Sequence, residues 1–308
     1  MSAPILLPLD GSDFAAQATS NAIGLARRLG APLHVVAVYQ PVVVVGTIHS
    51  AATFDRRYDD EQKAGMKEAI RKRAESIAAE TGLEVTYAAL EGSQVGEVLL
   101  KEAASTGTRM IVAATHGRGG LERFWLGSVA DTLVRSATLP VLLIRPRDPA
   151  EGAPEGEPAP FRRVLLPLDG SPLAEEAIQP ALDTLVAEGG SVRLLRVVRV
   201  PATRLPVNET YWTPLEAEGI ADRKAEAVAY LEDVARNLLP SSVDVSAEVA
   251  VHAAPATAIL DEAGSWGADA VAMCTHAREG FQRLMVGSVA DKVYRAAPIP
   301  TLVVPPSR

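Results

Sequence analysis

The chain has 308 residues, room for about two domains, and its 48% hydrophobic and 22% charged content is that of a folded globular protein, which excludes overall disorder. A net charge of −8 and a pI of about 5.3 exclude a broad basic footprint for nucleic acid or for an anionic membrane. The lone cysteine, Cys274, excludes an internal disulfide; no run nears the ~18 apolar residues of a membrane span, and MSAPILLPLDGS has no basic leader segment, so the expected location is the cytoplasm.

Ile5 to Leu9 is a continuous apolar run followed by Asp-Gly-Ser, the pattern of a strand buried on both faces that turns into a helix. Ser12 suits the N-cap, Ala18, Ala22, Leu25, Ala26 and Leu29 recur at helical spacing, and Gly30 ends the segment. A second apolar strand, Pro32 to Tyr39, follows at once, so the opening is a βαβ unit of a parallel sheet. A variable loop at about 40–57 carries the run Val42 to Val45, which suits burial against another segment or subunit. Then come a charged helix, Tyr58 to Thr81, closed by Gly82, and a third strand, Leu83 to Leu90. The pattern continues with a helix at Val95 to Ser105, a strand at Met110 to Ala114, a helix starting at Gly127-Ser128, and a last strand at Val141 to Arg145 behind Pro140. This alternation predicts a doubly wound α/β domain, with a ligand cleft at the switch point beside the first strand.

The second half says the same again. ILLPLDGSDFAAQA at residues 5–18 returns as VLLPLDGSPLAEEA at 164–177. The stretch from Ala114, ATHGRGGLERFWLGSVADTLVRSATLPVLLI, returns from Cys274 as CTHAREGFQRLMVGSVADKVYRAAPIPTLVV. A repeat distance of about 160 residues is a duplicated domain, far beyond the 20–50 of a solenoid. The domains are assigned to residues 1–146 and 162–308, joined by the Pro-, Gly- and Glu-rich tether 147–161.

The chemistry concentrates after the fourth strand. Thr115-His116-Gly117-Arg118-Gly119-Gly120 leads to Gly127-Ser128-Val129 at a helix start. Glycines admit a phosphate close to backbone, a helix N-terminus offers N–H donors, and Ser128 adds a hydroxyl: an anion cradle. The P-loop string is absent, and the dinucleotide fingerprint is missing from its place after the first strand.

At these residues both halves resemble the universal stress protein domains of the UspA type. The nucleotide-binding members of that family carry G-x-x-G-x9-G-[ST] after the fourth strand and Pro-x-Asp at the end of the first. The pattern falls here on Ala114, Gly117, Gly127 and Ser128, with Pro8 and Asp10; in the second half it falls on Cys274, Ala277, Gly287 and Ser288, with Pro167 and Asp169. The resemblance implies two five-stranded parallel sheets, each in the order 3-2-1-4-5 with helices on both faces, the adenine nucleotide alpha hydrolase-like arrangement. It implies ATP, AMP or ADP as ligand, Mg accompanying ATP, with Asp10 and the backbone of Val38 at the adenine and Gly117, Gly127, Ser128 and Val129 at ribose and phosphates. Val197 takes the place of Val38 in the second half, where Ala277 and Cys274 predict weaker binding. It also implies that the apolar last strands pair across a two-fold axis, which a tandem chain can do internally as a pseudo-dimer; a homodimer and an unidentified protein partner stay open.

Plainer readings stand beside these. Asp10 can serve the helix start alone, Ser128 and Ser288 can be N-caps, and Cys274 suits packing better than reactivity. His116 and His276 lack neighbours at metal-ligand spacing, and Arg118, Arg123, Arg278 and Arg283 suit phosphate or solvent equally. No assembled nucleophile, base or metal cluster supports turnover, so ATP hydrolysis is at most slow and the expected role is that of a stress sensor or regulator. The rivals are a nucleotide-free interaction module with relic motifs and an enzyme of the wider alpha hydrolase group; the latter's Ser-Gly-Gly-x-Asp-Ser loop is absent.

Overall fold

The computed structural model describes residues 2–41, 56–115, 126–145, 161–200, 214–275 and 287–307. They form two compact units. The first contains β1 (Ile5–Pro8), α1 (Asp13–Leu29), β2 (Leu33–Tyr39), α2 (Arg56–Thr81), β3 (Val85–Glu91), α3 (Val95–Ser105), β4 (Met110–Ala114) and α4 (Ser128–Ser136).

β1 lies between β2 and β4, parallel to both: Ile5 pairs with Leu33 on one side and with Met110 on the other. β2 pairs in turn with β3, giving the order β3-β2-β1-β4. Because β1 is central and covered on both faces, Ile5, Leu6 and Leu7 are all fully buried, as a continuous apolar run requires. α1 begins where expected, with Ser12 Oγ accepting from Ala15 N, and ends at Gly30 in the left-handed region, φ 54°. α2 inserts a narrow stripe of Ile70, Ala74 and Ile77, and leaves its charged face to solvent. α3 approaches α4 closely, since a Cβ on Gly96 would stand 2.6 Å from the Thr132 side chain.

The second unit contains β5 (Val141–Ile144), β6 (Arg163–Leu168), α5 (Pro172–Glu175), α6 (Ile178–Thr184), β7 (Ser191–Arg199), α7 (Pro214–Leu238), β8 (Asp244–His252), α8 (Pro255–Trp266), β9 (Ala270–Cys274), α9 (Ser288–Ala296) and β10 (Thr301–Val304). Its parallel strands run β10-β9-β6-β7-β8, which is the order 3-2-1-4-5 read from the far edge. Leu165, Leu195, Val271 and Met273 pack on α8 and α9 through Ala256, Ile259, Ala290 and Val293. Where the first unit has one helix of 17 residues, the second has a break between α5 and α6. Pro180 accounts for it: its ring excludes the carbonyl four residues back, that of Glu176, where the helix is interrupted.

β5 comes from the first half of the sequence but groups with the second unit, antiparallel to β10, with Leu142 opposite Leu302 and Leu143 opposite Thr301. Every residue of both strands is buried. Arg145, next along the chain, donates through Nη1 to the carbonyls of Arg295 and Ala297 at the end of α9, 3.0 and 3.4 Å away.

Candidate nucleotide site

At the end of β1 the ladder runs one residue further, Leu9 N donating to Val36 O at 2.8 Å, and the chain then turns away at Gly11, φ 80°. Asp10 Oδ1 accepts from Ser12 N (2.9 Å) and from Ser12 Oγ (2.6 Å), while Ser12 Oγ accepts from Ala15 N (3.1 Å). The carboxylate therefore fixes the turn and orients the hydroxyl that caps α1. The second unit repeats this: Asp169 Oδ1 holds Ser171 N and Oγ at 3.0 and 2.5 Å, Gly170 has φ 83°, and Ser171 Oγ caps Ala174 N at 3.2 Å. Both aspartates are exposed at the carboxyl rim of their sheets, each two residues past a half-buried proline, Pro8 or Pro167. The helix-start role of Asp10 is thus a fact of the fold, and it leaves the residue at the rim.

Val38 lies on the same rim. Val36 directs its carbonyl to β1, and Tyr39 directs its own to Gly92 beyond β3 at 3.0 Å. By the alternation of a parallel ladder, Val38 presents its N–H and C=O toward the β1 side, past the point where β1 has turned off. Val197 lies on β7 at the matching register, one residue beyond the Leu168–Arg196 pair.

β4 ends at Ala114 beside β1, so Thr115 lies at the same rim. Gly127 N donates to Thr115 O at 2.8 Å, which brings the start of α4 back to the end of β4. Here the structure corrects the sequence reading of Ser128 and Ser288 as N-caps. The capping residues are Gly127 and Gly287, and the serines open the first turn. The backbone of both glycines is extended, φ −59° and −58°, and neither glycine has a side chain with which to cap its helix. Ser128 is exposed and Val129 half-buried in the first turn of α4, whose leading N–H groups have no acceptor within the helix. Gly117 and Ala277 lie outside the described residues, as do His116, His276, Arg118, Arg123, Arg278, Arg283, the valine run 42–45 and most of the tether.

Cys274, the counterpart of Ala114, is buried at the end of β9, where its thiol reaches Thr275 O at 3.8 Å. Burial pushes the thiol pKa up to about 12, with the charges of Glu176 and Asp169 adding to the shift. It packs, and the raised pKa disfavours the nucleophilic thiolate at neutral pH. Among the described residues no three His, Cys, Asp or Glu side chains cluster to hold a metal, and no helix is long and apolar enough to cross a membrane.

Two polar features escaped the sequence reading. His34 on β2 bridges Thr86 Oγ1 (2.8 Å) and Glu102 Oε1 (2.9 Å), and at the same register of β7 Arg193 bridges Ser246 Oγ (3.0 Å) and Glu262 Oε1 (2.6 Å). Arg196, also on β7, reaches the rim of the second unit, with Nη1 donating to Leu168 O at 3.4 Å. The signal for all three was a charged or titratable residue inside an otherwise apolar strand.

The sequence model of the universal stress protein family matches residues 1–145 and again 160–305. A universal stress protein of Mycobacterium tuberculosis is 30% identical over 249 residues, covering 80% of this chain and 77% of its own length. One from Mycolicibacterium smegmatis is 29% identical over 304 residues, 98% of this chain and 97% of its own. In fold, the chain is similar to the crystal structure of a universal stress protein from Archaeoglobus fulgidus, with a TM-score of 0.65 at 19% identity and 98% of each chain covered. Two matched halves, each with the strand order and rim turns described above, make this chain a tandem member of the universal stress protein family.

Proposed function

We propose that the first unit binds an adenine nucleotide, ATP ahead of ADP or AMP, and that the chain acts in the cytoplasm as a nucleotide-responsive regulator. The observation that carries this reading is the convergence of two turns on one rim. Adjacent parallel strands β1 and β4 deliver the Asp10 turn and the glycine-led start of α4 to the same end of the sheet, the switch point of a doubly wound fold. These residues suit the ligand. Asp10 and the Val38 backbone offer hydrogen bonds to a base edge, Ser128 and Val129 offer donors to ribose and phosphates, and glycine at 127 and 117 lets them approach the backbone closely. Mg accompanies ATP on its phosphates. The assignment of residues to base and phosphate follows the family pattern, and the first unit keeps glycine at 117 where the second has Ala277.

A nucleotide-free interaction module is the alternative, favoured by one observation: Asp10 Oδ1 already serves the Ser12 turn. Calorimetry separates the two. Gly127→Val sets a branched side chain where phosphate oxygens would approach backbone, and Asp10→Ala removes the base acceptor. Each should weaken ATP binding about ten- to a hundredfold, the worth of a charged hydrogen bond. Unchanged ATP affinity in a folded Gly127→Val protein would place the ligand elsewhere, and no binding by the unmutated chain would favour the module.

A further inference from the structure

The two units part company at the base end of the rim. Pro8 pairs with Val36 and Pro167 with Leu195, so the next residues along β2 and β7, Ala37 and Arg196, hold equivalent positions. In the first unit the strand passes the Asp10 turn with a buried methyl group, 6% exposed. In the second it passes the Asp169 turn with a guanidinium that lies on the turn itself. A Cβ built on Gly170 would stand 3.2 Å from Nη2, 3.3 Å from Cζ and 3.4 Å from Nη1 of Arg196. Nη1 also donates to Leu168 O, the last carbonyl of β6.

The guanidinium is held from behind. The Tyr230 ring of α7 lies 5.9 Å from Arg196 Cζ, within cation–π range, and the Tyr230 hydroxyl donates to Glu175 Oε1 on α5 at 2.8 Å. Burial and then the bond to Glu175 raise the phenol pKa, so it stays a neutral donor and keeps its place. Arg196, Tyr230 and Glu175 thus link β7, α7 and α5 around the turn that carries Asp169.

We propose that Arg196 closes the second unit to an adenine base and so restricts the chain to a single nucleotide, held in the first unit. Resting on the reading that the base lies between the Asp10 turn and the Val38 backbone, the inference assigns the same space in the second unit to the Arg196 side chain. An adenine edge approaching Asp169 and Val197 meets a cation anchored on the intervening turn. To enter, it must displace a hydrogen bond and a ring contact that the first unit does not have.

Equilibrium dialysis with labelled ATP on the full chain tests this, using the unmutated protein, Arg196→Ala, Arg196→Lys and Asp10→Ala/Arg196→Ala. One nucleotide per unmutated chain and two per Arg196→Ala chain are expected, with affinity at the second unit rising at least about tenfold. Arg196→Lys should stay at one, and the double variant should keep only the new site. Photolabelling with 8-azido-ATP reads the same question without a substitution and should mark first-unit peptides alone in the unmutated protein. Label on the segments around Asp169 or Val197, two equal sites in the unmutated chain, or a folded Arg196→Ala protein that gains nothing would each overturn the inference. A chain that binds none until Arg196 is removed would sink the first-unit reading and the single-nucleotide stoichiometry with it, and would support only the closure of the second unit by Arg196.

Discussion

Asp10 and Asp169 show how a residue answers to local geometry, since an Asp-Gly-Ser turn needs the carboxylate to hold the serine that caps the next helix. That local need made the turns legible in the sequence. The same holds for Gly30, whose left-handed φ follows from its place after the last apolar residue of α1. Arg196 was not legible, because a charge in a strand is read as an edge or surface residue until the register shows what it covers. Cys274 was read correctly as a packing residue, and its chemistry is testable. With a pKa of about 12, its thiolate fraction at pH 8 is lower by about three orders of magnitude than that of an ordinary cysteine, whose pKa is about 8.5. Native protein should therefore resist iodoacetamide at pH 8, while urea-unfolded protein reacts at the rate of a free thiol. The sign of the linked stability follows: the folded state holds its proton more tightly, so stability is unaffected below about pH 8.5 and falls as the pH rises from there toward 12. Equal alkylation rates in the folded and unfolded states would show that the thiol is not buried as described.

Helices and strands with strong periodicity were read almost to the residue, α3 and β4 among them, because each has an unbroken apolar pattern between clear stops. The first helix of the second half was read as a copy of α1, and there the repeat misled: a single proline, Pro180, outweighs an inherited pattern and splits the segment into α5 and α6. The polar bridges of β2 and β7 were also missed, since their partners lie about 50 and 70 residues away in the chain and meet only when the sheet forms. These bridges tie α3 to β2 and β3, and α8 to β7 and β8, with one difference of consequence. The Arg193 guanidinium keeps its charge when its carboxylate is removed. Glu102→Leu should cost about 1–3 kcal/mol, the penalty of an unsatisfied polar group at His34. Glu262→Leu should cost more, up to about 3–5 kcal/mol if Arg193 were fully buried and less at its 24% side-chain exposure, although stacking on Trp266 at 4.7 Å retains part of the environment. Urea titration of the two variants checks the ranking, and a larger loss for Glu102→Leu would contradict it.

At the scale of the whole molecule, the repeat makes the architecture legible twice over, and the apolar character of the last strands called for a partner at that edge. What the sequence could not say is that β5 groups with the second unit, because compactness is decided by which contacts close and not by where a repeat boundary falls. Leu142 and Leu302 face each other across an antiparallel pair and both are fully buried, and Arg145 then anchors the strand's end to the last carbonyls of α9. A substitution in the first half of the sequence should accordingly be felt in β10. Leu142→Ala removes buried methyl groups at that pair and should cost about 2–5 kcal/mol. If the cost is local to this pairing, hydrogen exchange at the amides of Thr301 and Val303, which face β5, should speed up by at least about thirtyfold, the kinetic equivalent of the lower figure, while β2 and β3 keep their protection. Exchange in β10 that stays at its unmutated rate, in a chain that has lost stability by the stated amount, would show that β5 supports some other part of the protein.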